Sequence, residues 1–258
     1  MTHPTVNQRT AVRLLQDAFN YVVETQQDNI AAAAQLVVAS FDAGGIIQVF
    51  GTGHSRSFAM EIAGRAGGLV PANKISLTDL VFLGGDEPAS ANDPLLERDP
   101  SMIGRLLALQ GVNPADVFII CSNSGGNGST VELASRVKAH GHPLIAVTSL
   151  QHTTKITSRH PSGKRLFELA DVVIDNGGVF GDAALKLPAH NGDTPVAITA
   201  TSTVTSALIA QMLATEVCGL LLEAGHEVPV LVSANVPGGD EHNNELRARF
   251  SDRVHSAP

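Results

Sequence analysis

Two short stretches carry hydroxyls, amides and glycines at a spacing suited to an anion. The first is Gly51-Thr52-Gly53-His54-Ser55, and the second is Ser122-Asn123-Ser124-Gly125 with Gly126 and Gly128 beyond it. Each follows a short aliphatic run and precedes a helical pattern. A helix start offers unpaired backbone N–H groups and the positive end of the helix dipole. Glycine lets the backbone approach a ligand closely, and serine hydroxyls add donors. Together these features describe a cradle for a phosphoryl group, with Gly53, His54, Ser55, Ser122, Asn123 and Ser124 as its contacts. Ser55 can also cap its own helix. Ser129-Thr130-Val131-Glu132 matches a capping box and is expected to be structural. Two nucleotide readings fail on spacing. A dinucleotide fingerprint needs a glycine where Arg56 stands. Gly163-Lys164 is followed by Arg165, with Ser158 in place of the first glycine of a P-loop.

The elements that must hold these stretches follow from periodicity. Apolar residues at Val12, Leu15, Phe19, Val22, Ile30, Ala33, Val37 and Phe41 predict one or two helices over 6–42, with a polar break at Gln26. Ile46 to Phe50, Val117 to Cys121, Leu144 to Thr148 and Val172 to Asp175 read as buried strands, and Leu69 to Ala72 as a further one. Helical patterns run from about Ser55 to Ala66, Ser101 to Gln110, Ser129 to Gly141 and Asp240 to Phe250. Thr199 to Ala224 is apolar on most sides, which predicts a buried helix, either central or at a subunit interface. Val228 to Val232 could form a last strand, and Leu83 to Pro100 reads as a long loop. Strands alternating with helices predict an α/β fold, a doubly wound parallel sheet flanked by helices. The expected organisation is an N-terminal helical arm over 1–44 and one domain over 45–258. Ligands of such sheets sit beyond the C-terminal strand ends, where strand order reverses.

Composition narrows the function classes. The net charge is −8 with aromatics at only 4% and no Trp, which argues against a nucleic-acid partner. The apolar stretches are too short or too polar for a membrane span, and Met1 to Arg9 lacks a signal-peptide core, so a cytoplasmic location is expected. Cys121 and Cys218 are isolated, and no histidine pair shows metal-ligand spacing, so neither a disulfide framework, a metal site nor a cofactor is expected.

The combination of motifs resembles the SIS (sugar isomerase) domain family, which includes phosphoheptose isomerase, the isomerase half of glucosamine-6-phosphate synthase and the muramic acid 6-phosphate etherases. The two serine loops resemble that family's phosphate-site signatures. More narrowly, the chain is similar to a group of bacterial SIS proteins. The shared text is Gly-Thr-Gly-His-Ser at 51–55, Arg-Ala-Gly-Gly at 65–68, Ser-Asn-Ser-Gly at 122–125 and Thr-Ser-Leu at 148–150. It continues with Ser-Arg-His at 158–160, Asp-Asn-Gly-Gly at 175–178, Ser-Ala-Asn-Val at 233–236 and Gly-Gly-Asp-Glu-His-Asn at 238–243. The resemblance implies a cofactor-free aldose–ketose isomerase acting on a sugar phosphate. The alternatives are an aminosugar-phosphate deaminase, a sugar-phosphate lyase, and a non-catalytic phosphosugar sensor. It also implies a homo-oligomer, a dimer or tetramer.

Isomerisation needs a base that moves a proton between neighbouring sugar carbons and a group that opens the ring. Glu61, six residues after Ser55 among Phe58, Ala59, Met60 and Ile62, is the expected base. The catalytic glutamate of phosphoheptose isomerases stands about one helical turn further on, so Glu61 matches by helix and not by spacing. His242, beside Glu241 in Asp240-Glu241-His242-Asn243, is expected to open the ring or shuttle a proton, since a terminal segment reaches over the sugar in related folds. His160 lies in a Ser-Arg-His turn with Arg159, a potential anion holder. His190 is a fourth histidine in a polar loop. Arg159, His160 and Glu241 complete the expected substrate contacts.

Overall fold

The computed structural model of the chain describes residues 5–89, 93, 95–188 and 196–255. It opens with α1 (Gln8–Thr25) and α2 (Gln27–Asp42). The break between them falls at Gln26, where the apolar spacing is interrupted. Its side-chain oxygen accepts the backbone N–H of Asp175 at 2.9 Å, so the polar residue anchors the helix pair to the sheet.

Five strands form one parallel sheet: β1 (Ile47–Gly51), β2 (Ala72–Ile75), β3 (Val117–Cys121), β4 (Leu144–Thr148) and β5 (Val172–Asp175), in the order β2-β1-β3-β4-β5. Every residue of β1, β3 and β4 is buried. That is why their sequences read as continuous apolar runs: both faces of a parallel sheet are covered. Ile47, Val49, Val117, Ile119, Cys121, Ile145, Val147 and Ile174 share one face and one hydrophobic cluster. Phe50, Phe118, Ile120, Leu144 and Ala146 belong to the cluster on the other.

Among the described residues, seven further α-helices follow α2: α3 (Arg56–Ile62), α4 (Asp79–Phe82), α5 (Ile103–Ala108), α6 (Gly128–Ala139), α7 (Leu150–Thr153), α8 (Ser202–Glu223) and α9 (Gly239–Ala248). The first face is covered by α2, α3 and α8, with Val22 of α1 joining them; α4, α5 and α6 cover the second. Thus the helix after β1 and the helix after β3 lie on opposite faces, which makes the fold doubly wound. A short antiparallel pair, β6 (Ala183–Lys186) with β7 (Ala197–Ala200), was not signalled by the sequence pattern.

Some boundaries differ from expectation. The second strand lies three residues later than Leu69 to Ala72, because Val70 and Leu231 spend their N–H groups on Pro229 and Gly68 instead. Val228 to Val232 contributes only an isolated bridge, Leu69 to Val230. The helix expected from Thr199 starts at Ser202, since Thr199 and Ala200 sit in β7. It is also not buried all round. Thr205, Ile209, Leu213, Val217 and Leu221 are buried at fourfold spacing, whereas Val204 and Leu222 face solvent. By length and composition α8 could cross a membrane, but here it packs on the sheet.

A chain of buried polar side chains crosses the second face. Asp116, with no exposed surface, accepts from Ile46 N (3.0 Å), Gln48 Nε2 (2.9 Å), Asn113 N (3.0 Å) and Arg253 Nη2 (2.7 and 2.9 Å). Asn73 Nδ2 then bridges Gln48 (2.9 Å) and Gln110 (3.1 Å), and Gln110 donates to Asp79 Oδ2 at 3.2 Å. Asp79 Oδ2 ends the chain by accepting Ser76 N at 2.9 Å. Burial pushes the Asp79 carboxyl above its ordinary range, against the lowering effect of the Ser76 and Gln110 bonds. The C-terminal Arg253 is thereby linked to Ser76, the residue following β2.

Candidate functional site

The strand order reverses between β1 and β3, so the crevice of this sheet opens at their C-terminal ends. Gly51 and Cys121 are register partners. Thr52 and Ser122 therefore start side by side, and the two serine turns meet at one edge of the sheet. Gly51 has to be glycine because a Cβ there would overlap the carbonyl of Ser55 as the chain doubles back. Gly53 and Gly125 have φ of +54° and +60°, a region in which side chains with a Cβ are strained.

Under the cradle the Cys121 thiol touches Ser206 Oγ of α8 at 3.8 Å. Burial pushes that thiol up to about 11, partly opposed by hydrogen bonding from Ser206 and Ser55, so it stays neutral. Ser55 thus reaches the end of β3, where Ser206 of α8 also packs. Ser55 caps nothing with its side chain.

In the second turn, Ser122 Oγ accepts the N–H of Gly125 at 3.1 Å. Ser124 Oγ has only a long contact with Gly126 N, 3.5 Å. A serine oxygen that accepts from the backbone keeps its own proton to give away, so both hydroxyls retain a proton to donate. Asn123 is fixed from behind. Its backbone carbonyl accepts from Ser149 N (3.1 Å) and Thr148 Oγ1 (3.3 Å), and its Oδ1 accepts from Asn176 Nδ2 (3.1 Å). The ends of β4 and β5 thereby brace the turn after β3.

The expected capping box does not form. Asn127 is the cap residue and its side chain makes no capping bond, while Ser129 Oγ donates to the carbonyl of Glu97 at 2.6 Å. A Cβ on Gly128 would overlap the carbonyl of Arg98. The 3-10 turn Leu96–Arg98 is therefore seated directly on the N-terminus of α6. With it, that turn closes a cleft of about 350 Å³ over the ends of β1 and β2. Gly51, Thr52, Gly53, Arg56, Ser76, Thr78, Asp93 and Glu97 are among its lining residues. The volume lies in the range of about 300–1,000 Å³ usual for small-molecule sites.

The structure thus brings Gly53, His54, Ser55, Ser122, Asn123 and Ser124 to one place. Arg159 joins its outer rim, donating to Asn127 Oδ1 at 3.0 Å and through its backbone to the Gly126 carbonyl at 2.8 Å. His160 faces elsewhere: its Nε2 contacts Glu132 Oε2 at 2.9 Å and its Nδ1 contacts Ser162 Oγ at 2.8 Å. It staples the 158–162 turn to α6. Despite the burial of Glu132, the bonds from His160 and Arg136 hold that carboxyl below its ordinary range.

Besides His160, three expected residues are not brought to the crevice within one chain. Glu61 lies about 9 Å along the axis of α3 from Ser55. Its carboxylate is already taken by Arg65 and by Gln211 Nε2, the latter at 2.8 Å. Glu241 and His242 sit on α9, which docks beside Leu69 and Val70 ahead of β2, at the far end of the sheet. His242 Nε2 contacts the carbonyl of Val230 at 3.0 Å. His190 lies outside the described residues.

Sequence reasoning passed over Arg56, Ser76, Thr78 and Glu97. Ser76 is the first residue after β2, the signal that found the other two turns, but β2 was placed three residues early. Glu97 carried no local signal, because only the seating of the 96–98 turn on α6 turns it inward.

The profile of the SIS domain family matches residues 12–149. A UPF0309 protein of Listeria monocytogenes is 40% identical over 231 residues, 90% of this chain and 92% of the relative. One from Geobacillus thermodenitrificans is 37% identical over 240 residues, 93% of each chain. Among solved structures, a phosphoheptose isomerase from Francisella tularensis matches 81% of this chain and 95% of its own, with TM-score 0.54 at 18% identity. Phosphoheptose isomerase GmhA from Neisseria gonorrhoeae matches 83% of this chain and 98% of its own, with TM-score 0.53 at 18% identity. Those two likenesses show the fold.

Proposed function

The chain belongs to the SIS domain family, with UPF0309 proteins as its relatives, and on that premise we propose that it binds a sugar phosphate and interconverts its aldose and ketose forms without a cofactor. The observation that carries this reading is the pairing of Gly51 with Cys121, which sets two hydroxyl-lined turns side by side at the switch point. The phosphoryl group is held by Ser55, Ser122, Asn123, Ser124 and the backbone of Gly53 and His54, with Arg159 at the rim. The sugar extends into the neighbouring cleft, where Arg56, Ser76 and Thr78 offer a cation and two hydroxyls to its oxygens. The neutral Cys121 beneath adds no repelling charge.

The test is thermal unfolding with a panel of aldose and ketose monophosphates of five to seven carbons, inorganic phosphate serving as control. A ligand at a hundredfold excess over its Kd stabilises by about 2.7 kcal/mol, so the fitting sugar phosphate raises Tm by several degrees and phosphate alone by less. If no sugar phosphate outperforms inorganic phosphate, the reading is wrong. NMR of the bound compound then separates the classes: an aldose–ketose mixture means isomerase, ammonia release a deaminase, ether cleavage a lyase, and an unchanged compound a sensor.

We further propose a homo-oligomer, a dimer or tetramer. Apolar Val12 and Phe19 on α1, with Val204 and Leu222 on α8, remain exposed on the single chain. Light scattering should return a mass of at least two chains; a monomer at micromolar concentration overturns this.

A further inference from the structure

Asp79, Asp93 and Glu97 stand in or near the crevice and Glu61 lies on α3 behind it; all but Glu97 are already engaged. Asp79 is buried and receives the Ser76 N–H and the Gln110 amide. Asp93 folds back to accept Leu95 N at 2.8 Å. Glu61 is occupied by Arg65 and Gln211 and points between α3 and α8. Glu97 differs: among the described residues, none donates a hydrogen bond to its carboxylate, which lines the cleft beside Arg56, Ser76 and Thr78. A Cβ placed on Gly53 would meet Glu97 Oε2 at 3.7 Å, so this oxygen looks directly at the first serine turn.

Its position is held and not merely permitted. The Ser129 hydroxyl clamps the Glu97 carbonyl, and the next carbonyl, that of Arg98, lies against Gly128. Both anchors belong to the first turn of α6, the helix that follows the Ser122–Ser124 turn. The phosphate cradle and the Glu97 carboxylate are therefore tied to the same rigid element. Such fixing is what proton transfer needs, since the acceptor must stay within hydrogen-bond reach of one carbon.

The geometry points to Glu97, not Glu61, as the proton-transfer carboxylate of this site, with Ser129 as its positioning residue. This rests on the sugar-phosphate reading above. In the step, the Glu97 carboxylate removes the proton from the carbon next to the carbonyl. The C–H electron pair forms the carbon–carbon double bond of an enediol as the carbonyl electrons move to oxygen, close to the Arg56 guanidinium. The enediol hydroxyl that was the alcohol loses its proton to solvent as its oxygen becomes the new carbonyl. The former carbonyl oxygen gains a solvent proton, and Glu97 returns its proton to the neighbouring carbon. Protons balance and no oxidant or reductant is consumed.

The experiment combines two readouts on the full chain with the sugar phosphate that stabilises it best: ligand-induced Tm shift, and exchange of the carbon-bound proton for deuterium in D₂O followed by NMR. Glu97→Gln is expected to keep the Tm shift and to slow exchange by about a hundredfold or more. Glu61→Gln is expected to keep both, and Ser129→Ala to keep binding while slowing exchange by a smaller factor. Should Glu97→Gln fail to fold, Glu97→Asp keeps the charge with a shorter reach and must still slow exchange more than Glu61→Gln does. Exchange at the wild-type rate in Glu97→Gln, or loss of exchange in Glu61→Gln alone, overturns the assignment. A wild-type protein that binds a sugar phosphate but exchanges nothing overturns it too and leaves the binding reading standing. A wild-type protein that binds none of the panel removes both.

Discussion

Replacing Asp116 by alanine is expected to destabilise the fold by about 4 kcal/mol, within the range for removing one partner of a buried ion pair. For a domain of this size that lowers Tm by about 8–16 °C. The reason lies in what this carboxylate serves at once. It accepts from the backbone N–H groups of Ile46 and Asn113, from Gln48, and from Arg253, all without exposed surface of its own. Alanine leaves the Arg253 guanidinium, only 18% exposed, with no counter-charge, and strands donors that cannot reach water. Arg253→Met tests the same link from the other side. Because each single change already breaks the pair, the double variant should lose clearly less than the sum of the two. Urea unfolding of the three variants decides. An Asp116→Ala protein within about 1 kcal/mol of the parent, the ordinary worth of one hydrogen bond, would show that the buried chain from Arg253 to Ser76 contributes little.

Ser124→Asp is expected to weaken sugar-phosphate binding by at least about a hundredfold, about 2.8 kcal/mol at 1.4 kcal/mol per tenfold. The substitution sets a carboxylate where the phosphoryl oxygens belong, so repulsion replaces a donated hydrogen bond. Ser124→Ala removes the donor without adding charge and should lose only about tenfold, as for one hydrogen bond to a charged group. The fold should tolerate both, because the half-buried Ser124 makes only the 3.5 Å contact with Gly126 N. Ser122 is a poorer choice for this test: its oxygen holds Gly125 N at 3.1 Å, so its loss would also disturb the turn. Calorimetric titration beside a thermal scan separates affinity from stability. Equal affinities for the parent and Ser124→Asp would place the phosphoryl group elsewhere.

The fold was readable where one residue run decides one element. Val117–Cys121 and Leu144–Thr148 are strands because five consecutive apolar residues between turn signals suit a strand buried on both faces. Gln26 marks the helix break for an equally local reason, a polar side chain in an apolar stripe that reaches the backbone of Asp175. Elsewhere the local signal was ambiguous. Leu69 and Val70 are as strand-like as Ile75, yet Val70 bonds to Pro229 and Leu69 bridges to Val230 because that segment returns beside them. Nothing near position 70 announces a neighbour from position 230.

The same division applies to the site. Hydroxyls and glycines at strand ends were visible because the strand, the turn and the helix start are adjacent in the chain, and the parallel alternation of elements implied that such ends share one edge. The sequence by itself thus determined the doubly wound class, the two serine turns and the family resemblance. It could not determine which carboxylate faces them. Glu61 was favoured because it follows Ser55 on one helix, but its partners, Arg65 and Gln211, draw it between α3 and α8. Glu97 faces the crevice because Gly128 lets the 96–98 turn sit on α6. The register of β2, the one-sided burial of α8 and the identity of the inward carboxylate were all decided by contacts between residues distant in the chain. Such contacts depend on how helices pack across the sheet, and periodicity within a window carries no record of that.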